Sequence, residues 1–109
     1  MPLNLLIVIE PKQGKEQRVD EVLAWLVKEI EAKEPDVTVY QIRSTEDYKK
    51  GVKTSIVHMQ ITDEAALEAR GQLPHHQEIT KILKEEGLLT ELKYMRMSGA
   101  GGFIRAPPS

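Results

Sequence analysis

Residues 3–10, LNLLIVIE, constrain the fold more than any other stretch of the chain. Side chains of a strand alternate between its two faces. Leu3, Leu5, Ile7 and Ile9 fall on one face, and Leu6 and Val8 on the other. Apolar residues on both faces mark a central strand that is covered on both sides. Whatever this chain folds into must therefore supply two covers for one strand.

The rest of the sequence supplies one of them. PKQG (11–14) breaks the strand, and residues 15–34 predict a long helix. Its Val19, Val22, Leu23, Leu26 and Ile30 recur at the spacing of a single buried stripe. Trp25 lies on a flank of that stripe, and Pro35 stops the helix. VTVYQIR (37–43) is β-branched and aromatic and predicts a second strand, followed by a loop over STEDYKKG. KTSIVHMQI (53–61) predicts a third. Ser55, Val57, Met59 and Ile61 share one of its faces; Ile56, His58 and Gln60 share the other. TDEAALEAR opens a short helix with Thr62 or Asp63 as its N-cap, ending at Gly71. Pro74 starts another, with Ile79, Ile82 and Leu83 on its buried side and Gly87 closing it. TELKYMRM (90–97) predicts the fourth strand. Residues 98–109, SGAGGFIRAPPS, are rich in Gly and Pro without periodicity and predict a flexible tail, in which Phe103 and Ile104 are the available apolar anchors.

The order β-α-β-β-α-β, with the second helical region broken, is the α+β ferredoxin-like pattern over residues 1–97. Its helices cover one face of an antiparallel sheet. The second cover for the first strand must then come from elsewhere. Two copies packed sheet to sheet provide it, so a homodimer is expected.

Composition excludes several partners. The 109 residues carry 17 acidic against 15 basic side chains, a net charge of −2, so no basic surface for nucleic acid is expected. The densest basic run, YKKGVK (48–53), reads as a solvated loop. No apolar run reaches the roughly 20 residues of a membrane span. LNLLIVIE is too short, and lacks the basic flank, for a signal peptide. There is no cysteine, hence no disulfide, thiol nucleophile or thiolate metal site. A cytoplasmic protein is the expectation.

Chemistry then rests on three histidines. His75 and His76 follow Pro74 and fall in the first turn of a helix. Adjacent helical residues diverge by about 100°. They do not have the i, i+3 or i+4 spacing that lets two helical histidines hold one metal, so no metal and no cofactor are expected. Relative to Ile79, His75 points close to the buried stripe and His76 to its edge. The positive end of a helix favours a neutral imidazole, the form a general base needs. A helix cap and a solvated neighbour would satisfy the same spacing. His58, in mid-strand among apolar residues, fits either a satisfied interior imidazole or an acid/base in a cavity. Tyr40, Tyr94 and Trp25 fit packing aromatics, and Arg43 and Arg96 solvated strand ends.

PDVTVYQI followed by ITDEAALEARGQLPHHQEI resembles the antibiotic-biosynthesis monooxygenase family of dimeric α+β barrels. Members share a helix stop at Pro-Gly, a strand with a Tyr near its middle, an Asp-Glu-Ala-Leu helix and a Ser-Pro-His-His-like turn. The likeness spans residues 3–97. The chain departs from the family at Met59 and Ile61, where a Glu and an aromatic are usual, and at Arg70, where a His is usual. Asn4 and Trp25 do not match the Asn and Trp of the haem-degrading branch, so haem is not implied. Plant polyketide cyclases of the same superfamily carry a Pro-x-His base that aligns with His76, and a second polar residue that aligns with Ser55. That alignment implies Ser55, Val57 and Met59 on a cavity face and His58 under the helices, whereas polarity alone places His58 in the cavity.

The resemblance implies a cofactor-independent monooxygenase that deprotonates a small aromatic or polyketide-type molecule. A cyclase or isomerase on the same barrel, or a non-catalytic dimer binding a small hydrophobic ligand, are the alternatives. The catalytic candidates are His76, His58 and Tyr40; the candidate substrate contacts are Asn4, Trp25, Ser55, Val57, Met59 and His75.

Overall fold

A computed structural model describes residues 2–46, 53–103 and 105. The chain runs β1 (Leu3–Pro11), α1 (Glu16–Lys33), β2 (Val37–Glu46), β3 (Lys53–Ile61), α2 (Glu64–Ala69), a single 3₁₀ turn (Arg70–Gln72), α3 (Pro74–Glu85) and β4 (Leu89–Met97). The four strands form one antiparallel sheet in the order β2-β3-β1-β4. This is the ferredoxin-like arrangement, and β1 is central, as its two-sided apolar sequence requires.

Register fixes the faces. Leu5, Ile7 and Ile9 stand opposite Met59, Val57 and Ser55, and all six are buried on the side facing the helices. Tyr40 and Ile42 of β2 join that side through their pairing with Met59 and Val57. The five apolar residues of the α1 stripe, Val19, Val22, Leu23, Leu26 and Ile30, are all buried against it. On the opposite side Leu6, Val8 and Ile56 remain only half-buried, and Met95 and Met97 of β4 are exposed. One cover is present and the other face is bare.

Local signals set the helix ends. Asp63 caps α2, its side chain accepting from the Ala66 amide at 2.8 Å. Pro74 occupies the first turn of α3, where its missing N–H costs nothing. At the other end Gly87 takes φ +57°, the Gly87 amide donates to the Lys84 carbonyl and Leu88 donates to the Leu83 carbonyl. This paired closure of the last turn needs the left-handed residue that glycine provides without strain. It drops Leu88 into the core immediately before β4.

Two expectations change in extent. β2 continues through Ser44, Thr45 and Glu46, which pair with Ser55, Thr54 and Lys53, so the expected loop begins later. Its remainder, and most of the YKKGVK run, lies outside the described residues. Gly71 does not end the helical region outright but sits inside the 3₁₀ turn. Residues 98–103 and 105 form no helix or strand; Phe103 is exposed beneath the Arg105 guanidinium, and Ile104 lies outside the described residues.

Candidate functional site

A cavity of about 340 Å³ opens between the helix side of the sheet and α3. This is near the lower end of the volumes that hold small molecules. Its floor is β1, through Ile7 and Ile9, and its far wall is α1, through Leu23 and Leu26. Ile79 and Leu83 of α3 form the near wall, and β4 forms the rim. Two sets of polar groups line it: His76, Arg70, Tyr40 and Tyr94 where α3 begins, and Lys84, Thr90 and Glu91 towards its other end.

His76 reaches the cavity because Pro74 fixes the first turn of α3 with His75 inward and His76 at the edge of the buried stripe. The two imidazoles diverge as their spacing demands. His76 is half-buried, and its ring nitrogens have no hydrogen-bond partner among the described residues. Burial lowers its pKa below the usual 6.5, the Arg70 and His75 charges lower it further, and Glu34 partly opposes them. These effects favour the neutral ring, whose lone pair has no partner among the described residues. Burial pushes the Tyr40 phenol up to about 12, so it stays protonated and can donate.

Behind this wall lies a buried ion cluster. The residue before a proline is pushed out of helical geometry. Glu34, before Pro35, takes φ −123° and ψ 77° and turns its carboxylate inward at the end of α1. Arg70 Nε donates to Glu34 Oε1 at 2.6 Å, and His75 Nε2 lies 2.6 Å from Glu34 Oε2. Side-chain exposures of 4% for Glu34, 8% for Arg70 and 2% for His75 take the group almost wholly out of water, with only Arg70 reaching the cavity. Burial by itself would raise the Glu34 pKa, but the hydrogen bonds and charges of Arg70 and His75 outweigh it and hold the carboxyl below its ordinary range. The cluster ties the end of α1 to the α2–α3 junction from which His76 projects. His75 Nδ1 is buried and unpartnered among the described residues.

The structure gathers only some of the residues expected from sequence. His76 and Tyr40 share the cavity. His58 does not: it lies on the opposite face of the sheet, its Nε2 3.0 Å from Asn4 Oδ1. The reason is the two-residue period of β3, which sends His58 away from the helices once Val57 and Met59 face them. It is neither in the cavity nor under the helices. Asn4 is removed from the cavity with it. Ser55, Val57 and Met59 do face the helices, but they are sealed in the core and do not line the space. Trp25 is half-buried against the core cluster and also stays outside the lining. His75 is spent on Glu34. Glu34 was not singled out from sequence, and Arg70 was visible only as a departure from the resembled pattern.

No protein-family model matches the sequence, and no curated protein matches it. Solved structures share the fold. The protein PA3566 of Pseudomonas aeruginosa is 22% identical, with a TM-score of 0.72 over 92% of this chain and 95% of its own. A Caulobacter crescentus protein named "putative antibiotic biosynthesis monooxygenase" is 13% identical, with a TM-score of 0.72 over 92% of this chain and 91% of its own. A Bacteroides fragilis protein, described as dimeric, ferredoxin-like and of unknown function, is 9% identical, with a TM-score of 0.71 over 90% of this chain and 96% of its own. At these identities the likeness is one of fold.

Proposed function

We propose that the cavity binds a flat phenolic molecule of anthrone or quinol type and that His76 removes a proton from it, as the first step of an oxygenation that needs no cofactor. The observation that carries this reading is a half-buried, unpartnered imidazole on the wall of a largely apolar cavity, where burial favours its neutral form. Fold neighbours named as monooxygenases add support of a general kind.

Removing a proton from the acidic carbon of an anthrone leaves a carbanion delocalised onto the phenolic oxygen. Tyr40 and Tyr94, as protonated donors on the same wall, stabilise that oxygen. The carbanion transfers electrons to O₂ and a carbon–oxygen bond forms. The O–O bond then breaks. One oxygen remains as the new carbonyl, and the other leaves as water with the two hydrogens lost from the carbon.

We also propose a homodimer joined through the bare face of the sheet. Leu6, Val8, Ile56, Met95 and Met97 give that face its apolar character. A stable interface of standard size covers roughly 800 Å² per partner.

The test is oxygen uptake with anthrone. One O₂ consumed per anthraquinone formed, by wild type and not by His76→Ala, is the expected result. Ring closure of a poly-β-ketone without oxygen uptake would assign a cyclase instead. Tight binding of anthrone with no turnover of either kind would leave a ligand-binding protein.

A further inference from the structure

We infer that Arg70 is a binding residue for an ionised oxygen, phenolate or enolate, on the molecule held in the cavity. This rests on the reading that a phenolic molecule occupies that space.

Arginine offers five N–H donors in a planar fork. In Arg70 the Nε–H is taken by Glu34, and Nη1 approaches only the Met59 sulfur, at 3.1 Å. A thioether is a weak acceptor that carries no charge. Nη2 has no acceptor among the described residues. Yet the side chain is only 8% exposed and lines the cavity. Nη2 is not among the fully buried unpartnered atoms, so its donors open onto the cavity and are not sealed in the packing. The cavity is where a missing acceptor can sit.

Charge points the same way. Glu34 splits its two oxygens between Arg70 and His75, so the guanidinium is held by one end-on bond and not by a bidentate clasp. Glu34 fixes the orientation of the fork while leaving its far edge to the cavity. The neighbouring polar groups, His76, Tyr40 and Tyr94, include no carboxylate that would neutralise that edge. Glu91 and Lys84 line the same cavity, but they belong to its other end, where α3 finishes and β4 begins. From His76 to Lys84 the helix rises about 12 Å. An oxyanion at the Arg70 end thus meets a fixed cation with free donors, and it lies next to the imidazole that accepts the proton.

The experiment uses the purified full chain and two probes, 2-naphthol and its methyl ether, 2-methoxynaphthalene. They share shape and apolar area and differ in the ionisable O–H. Binding is followed by fluorescence at pH 8, and ultraviolet absorption reports naphtholate against naphthol. The expected result is binding of 2-naphthol about ten- to a hundredfold tighter than the ether, the range of one charged hydrogen bond. The bound probe should show the naphtholate band. Glu34→Gln/Arg70→Met removes both charges and leaves no unpaired carboxylate. In it the preference should fall to about one and the band should vanish, with the fold checked by melting. Arg70→Lys keeps the charge without the fork and should retain part of both signals.

A purely structural Arg70 would leave the band in place wherever the variant folds, which overturns the inference. So would equal binding of the two probes by wild type, or binding of neither. The wild-type comparison and Arg70→Lys keep the test decisive should the double variant not fold. No oxygen uptake is read here. A naphtholate band in a protein that never consumes oxygen would sink the oxygenase reading and leave this one standing.

Discussion

Replacing Glu34 by glutamine keeps the volume of the side chain and removes its charge. The amide can still accept one hydrogen bond, but its NH₂ then faces a second donor, Nε of Arg70 or Nε2 of His75. The guanidinium also loses its counter-charge while 8% exposed. Breaking a buried pair by removing one partner costs about 3–5 kcal/mol. A chain of this length gains entropy of unfolding such that each kcal/mol moves Tm by about 4–5 °C. At the lower end of the cost, Glu34→Gln should melt about 10–15 °C below wild type at pH 7. The pH dependence carries a sign. The folded pKa of Glu34 lies below its ordinary 4.5. Its stabilisation is therefore complete above about pH 4.5 and is lost as pH falls through the lower folded value. The gap between wild type and Glu34→Gln should be constant above pH 5 and shrink below 4.5. The double variant Glu34→Gln/Arg70→Met should recover much of the loss, because apolar replacement of a whole buried pair is often close to neutral. Calorimetry from pH 3 to 8 makes the comparison. A Glu34→Gln protein melting within about 3 °C of wild type throughout would refute the picture of a dehydrated ion cluster.

The other predictions are more local. For Asp63→Ala, loss of the α2 cap at the Ala66 amide should cost about 1 kcal/mol, read as a small fall in Tm with dimerisation unchanged. If His76 is the base, the kcat/KM for anthrone oxidation should rise with pH through a value below 6.5 and then level off, because a base acts unprotonated and the pKa of His76 is lowered. A plateau that begins only well above pH 7 would point to a different base. Leu6→Glu, on the bare face of β1, should convert a dimer to a monomer in sedimentation velocity at micromolar concentration; an unchanged dimer would move the interface elsewhere.

Much of the fold could be read directly because single-element periodicity carried it. The α1 stripe and the central place of β1 each needed only one short window, and both stand as expected. His58 shows where polarity misleads. Its neighbours at i±1, Val57 and Met59, are more apolar than those sharing its own face, Ile56 and Gln60, so the period of two already put the histidine on the other side. Judging by polarity let one side chain override the alternation of the whole strand. The ion cluster was harder to see. Glu34 lies 36 residues from Arg70 and 41 from His75, and no local window joins them. Two faint signals existed: a glutamate immediately before a helix-stopping proline, and an arginine where the resembled pattern has histidine. Neither says that the two meet until α1 is packed against the α2–α3 junction.

The proposed chemistry sits on the helix side of the sheet and depends on His76. Oxygen-electrode rates with anthrone for wild type, His76→Ala and His58→Ala put that proposal to the test. A positioned general base contributes about 10²–10⁴ in rate. A loss of that size is expected in His76→Ala, with its Tm retained, and a wild-type rate in His58→Ala wherever the dimer survives. Full activity in His76→Ala, with the loss appearing in His58→Ala instead, would contradict it and move the site to the opposite face of the sheet.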